Sequence, residues 1–123
     1  MGNVLVATQA GVDVTGDLSV TGDIVAQNVN SLSDATLKTN ITPLTNVDSV
    51  INSLNGVEYD WTNGSGHSYG LLAQEVEQVL PFAVKTDGNG LKSVNYQMII
   101  PFLIETIKGL GSQIDELKKA INK

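Results

Sequence analysis

The sequence predicts an α+β fold built from a short N-terminal β-repeat segment, a small mixed α/β domain and a long C-terminal helix that self-associates. Three observations predict it. Residues 14–19 and 20–25 read VTGDLS and VTGDIV, a Val-Thr-Gly-Asp repeat with a period of six. Residues 47–94 pass through helix, strand and turn signals in close succession. Ile100, Leu103, Ile107, Leu110, Ile114, Leu117 and Ile121 then follow at alternating spacings of three and four, a heptad seam with Ile at every a and Leu at every d position.

Taken in order, each repeat unit joins a β-branched residue to a Gly-Asp turn, which predicts very short strands turning at Gly16-Asp17 and Gly22-Asp23. Two units do not bury a core alone, because repeats are stabilised by stacked neighbours, so the segment either has partners or is a flexible Gly-rich linker. A polar junction, SLSDATLKTN over 31–40, follows it. Thr42-Pro43-Leu44 reads as an extended or turn element. Val47, Val50, Ile51 and Leu54 sit at helical spacing and predict a helix over 48–54, stopped by Asn55-Gly56. Val57, Tyr59 and Trp61 alternate with Glu58 and Asp60, the pattern of a half-buried strand whose aromatic residues join the core.

The loop over 62–68 is polar and Gly-rich, and its His67 reads as a solvated loop residue. A strand over 69–72 and a short helix over 73–80, ended by Pro81, come next. Residues 82–86 and 91–94 flank Asp87-Gly88-Asn89-Gly90, a hairpin signal. The last helix, over 95–122, is expected to kink at Pro101. Gly109 and Gly111 each weaken it by about 1 kcal/mol relative to Ala.

Within the junction, Ser33 stands five residues before Lys38, the first basic side chain of the chain. A lysine acts as general base toward a hydroxyl only when neutral, so its pKa must fall from about 10.4 toward the working pH by desolvation. A regular helix leaves side chains five residues apart roughly 140° around its axis. An extended strand sets them about 17 Å apart. Pairing therefore requires the backbone to bend over 34–36. The same residues also read as a plain cap, with Ser33 or Asp34 opening a short helical turn that runs to Lys38. Spacing leaves both readings open, and Ser31, seven residues before Lys38 and on one helical face with it, is a rival nucleophile.

The string Ser33-Asp34-Ala35-Thr36-Leu37-Lys38-Thr39-Asn40-Ile41 is followed by Gly56-Val57-Glu58-Tyr59-Asp60-Trp61 and by Gly70-Leu71-Leu72-Ala73-Gln74-Glu75-Val76 with Pro81. Val94-Asn95-Tyr96 then precedes an apolar helix. In this order the motifs resemble the C-terminal intramolecular chaperone domain of phage tailspikes and tail fibres, of the endosialidase type. The resemblance implies a self-cleaving serine peptidase that acts once, in cis, with Ser33 as nucleophile, Lys38 as base and the bond between Leu32 and Ser33 as the one cut. It implies that residues 33–123 are the chaperone and autoprotease domain. Residues 1–32 would be the end of a fibre shaft, with the upstream fibre segment of the same chain as the client. Asp34, Asn40 and Gln74 are candidate supporting groups; Gln74 reads equally well as a plain surface residue of its helix.

The resemblance also implies a homotrimer, whereas Ile at a with Leu at d favours a parallel dimer. The wider apolar face at Ile99 and Ile104, where packing onto the chain's own core is the alternative to a seam, favours three chains together with the upstream repeats. Such a domain works in the host cytoplasm during phage assembly, and the mature fibre belongs to the virion tail. The alternative is a non-cleaving trimerisation or receptor-binding tip of a viral fibre.

Composition sets the remaining bounds. Thirteen acidic residues against seven lysines give a net charge of −6, which opposes nucleic acid as a partner. The absence of cysteine excludes disulfides and thiolate metal sites, and one histidine argues against zinc, so no metal and no cofactor is expected. No stretch approaches the roughly 20 apolar residues of a membrane span, so no membrane partner is expected.

Overall fold

The computed structural model describes residues 5–7 and 9–122. The chain divides into two units, Met1–Thr39 and Asn40–Lys123. The described residues of the first unit are exposed throughout and form no strand; their regular structure is one 3-10 turn, Ala35–Leu37. The strands expected from the Val-Thr-Gly-Asp repeat are therefore not formed, although bends fall at Gly16 and Gly22 as the pattern requires. The two bends differ, since Gly16 takes a φ of +108° and Gly22 has no positive φ. The physical reason is that strand hydrogen bonds run between strands, and two six-residue units offer each other no facing edge.

The second unit is a mixed α/β assembly with a long C-terminal helix, as predicted. Helix α1 (Val47–Asn52) opens after Asn46, which holds a left-handed φ of 57°, and carries Asp48 in its first turn, where a negative charge meets the helix dipole. The Ser53 N–H closes it onto Val50 and Ile51 carbonyls. Strands β1 (Val57–Asp60) and β2 (His67–Gly70) pair antiparallel with Tyr59 opposite Ser68 and Asp60 opposite His67.

Strand β2 begins two residues earlier than the sequence pattern suggests, because the connection is tight. Trp61 N–H donates to the Gly66 carbonyl at 3.0 Å, Asn63 Oδ1 accepts from Ser65, and Gly64 and Gly66 both take positive φ. His67 is thus a strand residue and not a loop residue. Trp61 lies beyond the end of β1 and is 52% exposed, stacked edge-on against Tyr59 at 5.2 Å, so it is not the core residue that the alternation implied.

Helix α2 (Ala73–Val79) buries Val76 completely and stops before Pro81, which opens a 3-10 turn, Pro81–Ala83. That turn delays the hairpin, so β3 (Val84–Thr86) and β4 (Lys92–Val94) are shorter than expected and Phe82 is left exposed. Asp87 builds the connection by accepting from the Asn89 and Leu91 N–H groups, with Gly90 left-handed. Val76, Ala83 and Ile99 are the buried apolar residues among those described.

Helix α3 (Ile100–Ile121) follows a 3-10 turn, Tyr96–Ile99, capped by the Asn95 side chain. Pro101 falls in the first turn of α3, where no intrahelical N–H bond is needed, so it starts the helix instead of kinking it. Helix α1 packs against α3, and Ile51, Leu54, Leu71, Tyr96, Ile99 and Leu103 line an apolar cleft of about 350 Å³. Tyr96 Oη accepts from the Leu71 N–H at 2.9 Å. A methyl group at Gly70 would stand 2.5 Å from that oxygen. Gly70→Ala is therefore expected to cost about 1–3 kcal/mol as an overpacking change, read as a lower urea midpoint. Adding Tyr96→Phe should recover part of the loss.

Candidate functional site

Three residues of 3-10 helix are enough to bring Ser33 and Lys38 together. Asp34 is the N-cap of the turn: its Oδ1 accepts from the Thr36 N–H at 2.9 Å and from the Thr36 hydroxyl at 2.7 Å. The Leu37 and Lys38 N–H groups close onto the Asp34 and Ala35 carbonyls, each at 3.1 Å. Lys38 leaves the turn in an extended conformation, φ −120° and ψ 148°. Its side chain then folds back across the turn, and Nζ donates to Ser33 Oγ at 2.6 Å. The cap and the pairing, which the spacing left as rival readings, coexist in one turn. The bend lies where the pairing requires it.

In the single chain both Ser33 and Lys38 are exposed, and so is Leu32, the residue before Ser33. The Thr36 hydroxyl and then the Thr36 N–H hold the Asp34 carboxyl below its ordinary value of 3.8, against a small opposing effect of burial. A carboxylate with a lowered folded pKa supports the turn above its unfolded value near 4, and that support is lost as the pH falls through the lowered pKa. The Asp34 carboxyl carbon is therefore expected to titrate by NMR with a midpoint below 3.8, and the Thr36 N–H resonance should move with it.

The other expected site residues are placed as follows. Asn40 opens the second unit with a left-handed φ of 54°, a conformation that Asn tolerates better than most residues. Gln74 is exposed on α2. Ile100, Leu103, Ile107, Leu110, Ile114, Leu117 and Ile121 all lie on α3 and are exposed, from 43% at Leu103 to 79% at Ile121. Ile104 joins them at 51%, but Ile99 is buried in the chain's own core at 7% and does not widen the seam.

The sequence reading missed one cluster. His67 bridges two carboxylates, with Nδ1 at 2.7 Å from Asp60 Oδ1 and Nε2 at 2.9 Å from Glu58 Oε1, and its ring meets Tyr69 edge-on. The signal was available, since Glu58 and Asp60 share one strand face and a hairpin closed by Asp60 brings His67 opposite. The alternation was read only for its apolar side.

Among the described residues no helix is long and apolar enough to cross a membrane. Residues 33–85 match the family described as chaperone of endosialidase, and the match begins at Ser33. The chain is similar to the long tail fiber protein Gp37 of Enterobacteria phage K3 and of Enterobacteria phage T2, in each case 35% identical over 115 residues. These alignments cover 86% of the chain and 9% of each relative. The long tail fiber protein Gp37 of Salmonella phage S16 is 30% identical over 131 residues, covering 94% of the chain and 18% of the relative. The chain thus spans a small fraction of the length of these fibre proteins.

Proposed function

We propose that this chain, whose residues 33–85 belong to the chaperone-of-endosialidase family, trimerises at the end of a phage tail fibre, holds three fibre chains in register while they fold, and then cuts itself free between Leu32 and Ser33. The observation that supports the cut is the 2.6 Å contact from Lys38 Nζ to Ser33 Oγ across a capped turn. In this mechanism Lys38, dried by assembly, takes the Oγ proton and Oγ attacks the Leu32 carbonyl carbon. The bond from that carbon to the Ser33 nitrogen breaks, and Lys38 returns the proton to the leaving amine. Water then hydrolyses the resulting ester, leaving a carboxylate on Leu32 and the hydroxyl on Ser33. Both partners are exposed in the single chain, so the desolvation that a lysine base needs comes from neighbouring copies.

Two features support assembly. The chain presents 11137 Å² of accessible surface, against roughly 6,300 Å² for a folded monomer of its mass. The α3 seam residues are 43% to 79% exposed, and completing the burial of each Ile or Leu contributes part of the ~1.5–3 kcal/mol that full burial of such a side chain is worth. Three chains suit the flanks of that seam. Its e and g positions carry Ile104, Thr106, Gly111, Gln113, Lys118 and Ala120, with one charge among them, and larger bundles cover these flanks more fully than dimers do.

A clamp of this kind raises the effective concentration of three fibre segments whose non-local pairing is otherwise slow. Cutting then makes assembly hard to reverse, because the freed fibre persists by its unfolding barrier. Intact-mass spectrometry of the full chain after overnight incubation tests the reading. Fragments ending at Leu32 and starting at Ser33 are expected. The exposure of Ser33 and Lys38 in the single chain favours a second reading, an inert trimerisation or receptor-binding tip, and a persistently whole chain would select it.

A further inference from the structure

We propose that Asp34 and Thr36 are a positioning pair whose hydrogen bonds keep the Asp34 carboxylate off the Lys38 amine and so reserve that amine for Ser33. The inference rests on the Ser33–Lys38 reading above and adds a device that the pairing needs. Asp34 is the residue after Ser33, to whose hydroxyl the Lys38 amine reaches, so its carboxylate is an alternative partner for that amine. Such a pair would favour the charged ammonium, which has no lone pair with which to accept the Ser33 proton. Yet the ion pairs among the described residues lie at His67, Lys92 and Lys108, and none joins Asp34 to Lys38.

The carboxylate is turned toward Thr36 instead. One oxygen, Oδ1, accepts both the Thr36 N–H and the Thr36 hydroxyl, at 2.9 and 2.7 Å. Thr suits the task because its β-branched side chain has few rotamers, which fixes the hydroxyl direction. The hydroxyl bond is also the larger of the two influences that lower the Asp34 carboxyl. A single arrangement thus caps the turn and withholds a negative charge from the amine that folds back over it. Neither residue touches the reacting atoms; both act through Lys38.

The test uses the full chain with Thr36→Val, which removes the hydroxyl and keeps the shape, and with Thr36→Val combined with Asp34→Asn, which leaves a good cap but no charge to release. The first readout is the rate of self-cleavage. The second is the acetylation of Lys38 relative to Lys85 by trace acetic anhydride, mapped by peptide mass with Ser33→Ala in every chain so that none is cut. Thr36→Val is expected to slow cleavage severalfold and to lower Lys38 acetylation. Adding Asp34→Asn should restore both. Unchanged acetylation in Thr36→Val, or a double variant as impaired as the single one, overturns the inference. If the parent chain is never cut, the dyad reading falls by itself, and the acetylation comparison still decides whether the pair shields Lys38.

Discussion

Replacing Ser33 by alanine is expected to leave the chain whole, and replacing Lys38 by methionine to slow cutting by about a hundredfold to ten-thousandfold, the usual worth of a positioned base. The hydroxyl and amine meet at 2.6 Å because a three-residue turn, capped by Asp34, lies between them. Without Oγ there is no atom to attack the Leu32 carbonyl. Without Nζ the hydroxyl keeps its proton. Lys38→Arg is the sharper control, because arginine preserves the charge and the reach but stays protonated at any working pH; it should be as slow as Lys38→Met. Ser31→Ala should cut normally. Intact mass after overnight incubation reads all four variants. Normal cutting by Ser33→Ala alongside an uncut Ser31→Ala would reassign the nucleophile.

The second large effect is expected from the seam. Leu110 sits at a d position in the middle of α3 and is 52% exposed in the single chain. Leu110→Asp places one carboxylate from every copy at the centre of the assembled bundle, where an unpaired charge costs several kcal/mol. With Ser33→Ala in both so that neither is cut, analytical ultracentrifugation should find the parent chain at three times 13.0 kDa and the variant at 13.0 kDa. Cleavage should fall together with assembly, since the desolvation of Lys38 is assigned to neighbouring copies. A variant that sediments as a monomer and still cuts would separate the two roles and place the source of desolvation within one chain. A parent chain at twice 13.0 kDa would return the seam to the dimer that its Ile and Leu pattern favours.

The elements that hydrophobic period and turn chemistry dictate were legible in the sequence. Asp87 to Gly90 encodes its hairpin through one carboxylate and one left-handed glycine, and α3 follows its seam from Ile100 to Ile121. Errors arose where a backbone detail overrode the period. Pro81 inserted a turn that shortened β3, and Gly64 with Gly66 tightened a loop so that His67 joined β2.

The bend at the candidate site was legible as a requirement, but the role of Thr36 was not, because its hydroxyl acts on a neighbour two residues away and leaves no periodic trace. Trp61 was misplaced, and Ile99 stood open between the seam and the chain's own core, for a common reason. An apolar residue reads the same whether it meets its own chain, another copy or water. The repeat at Val14 to Val25 fails in a single chain for the related reason that its edges need another strand.

Among the described residues, Val76 is the one large side chain that a lone copy hides completely. A molecule with so little interior has scant reason to persist by itself, as in many proteins whose folded form exists only as a complex. Its survival should therefore depend on abundance: sparse copies are exposed to proteolysis, and copies translated side by side from one message find each other first. Under the trimer proposed above, dilution, more than heat, is the condition expected to lose this protein.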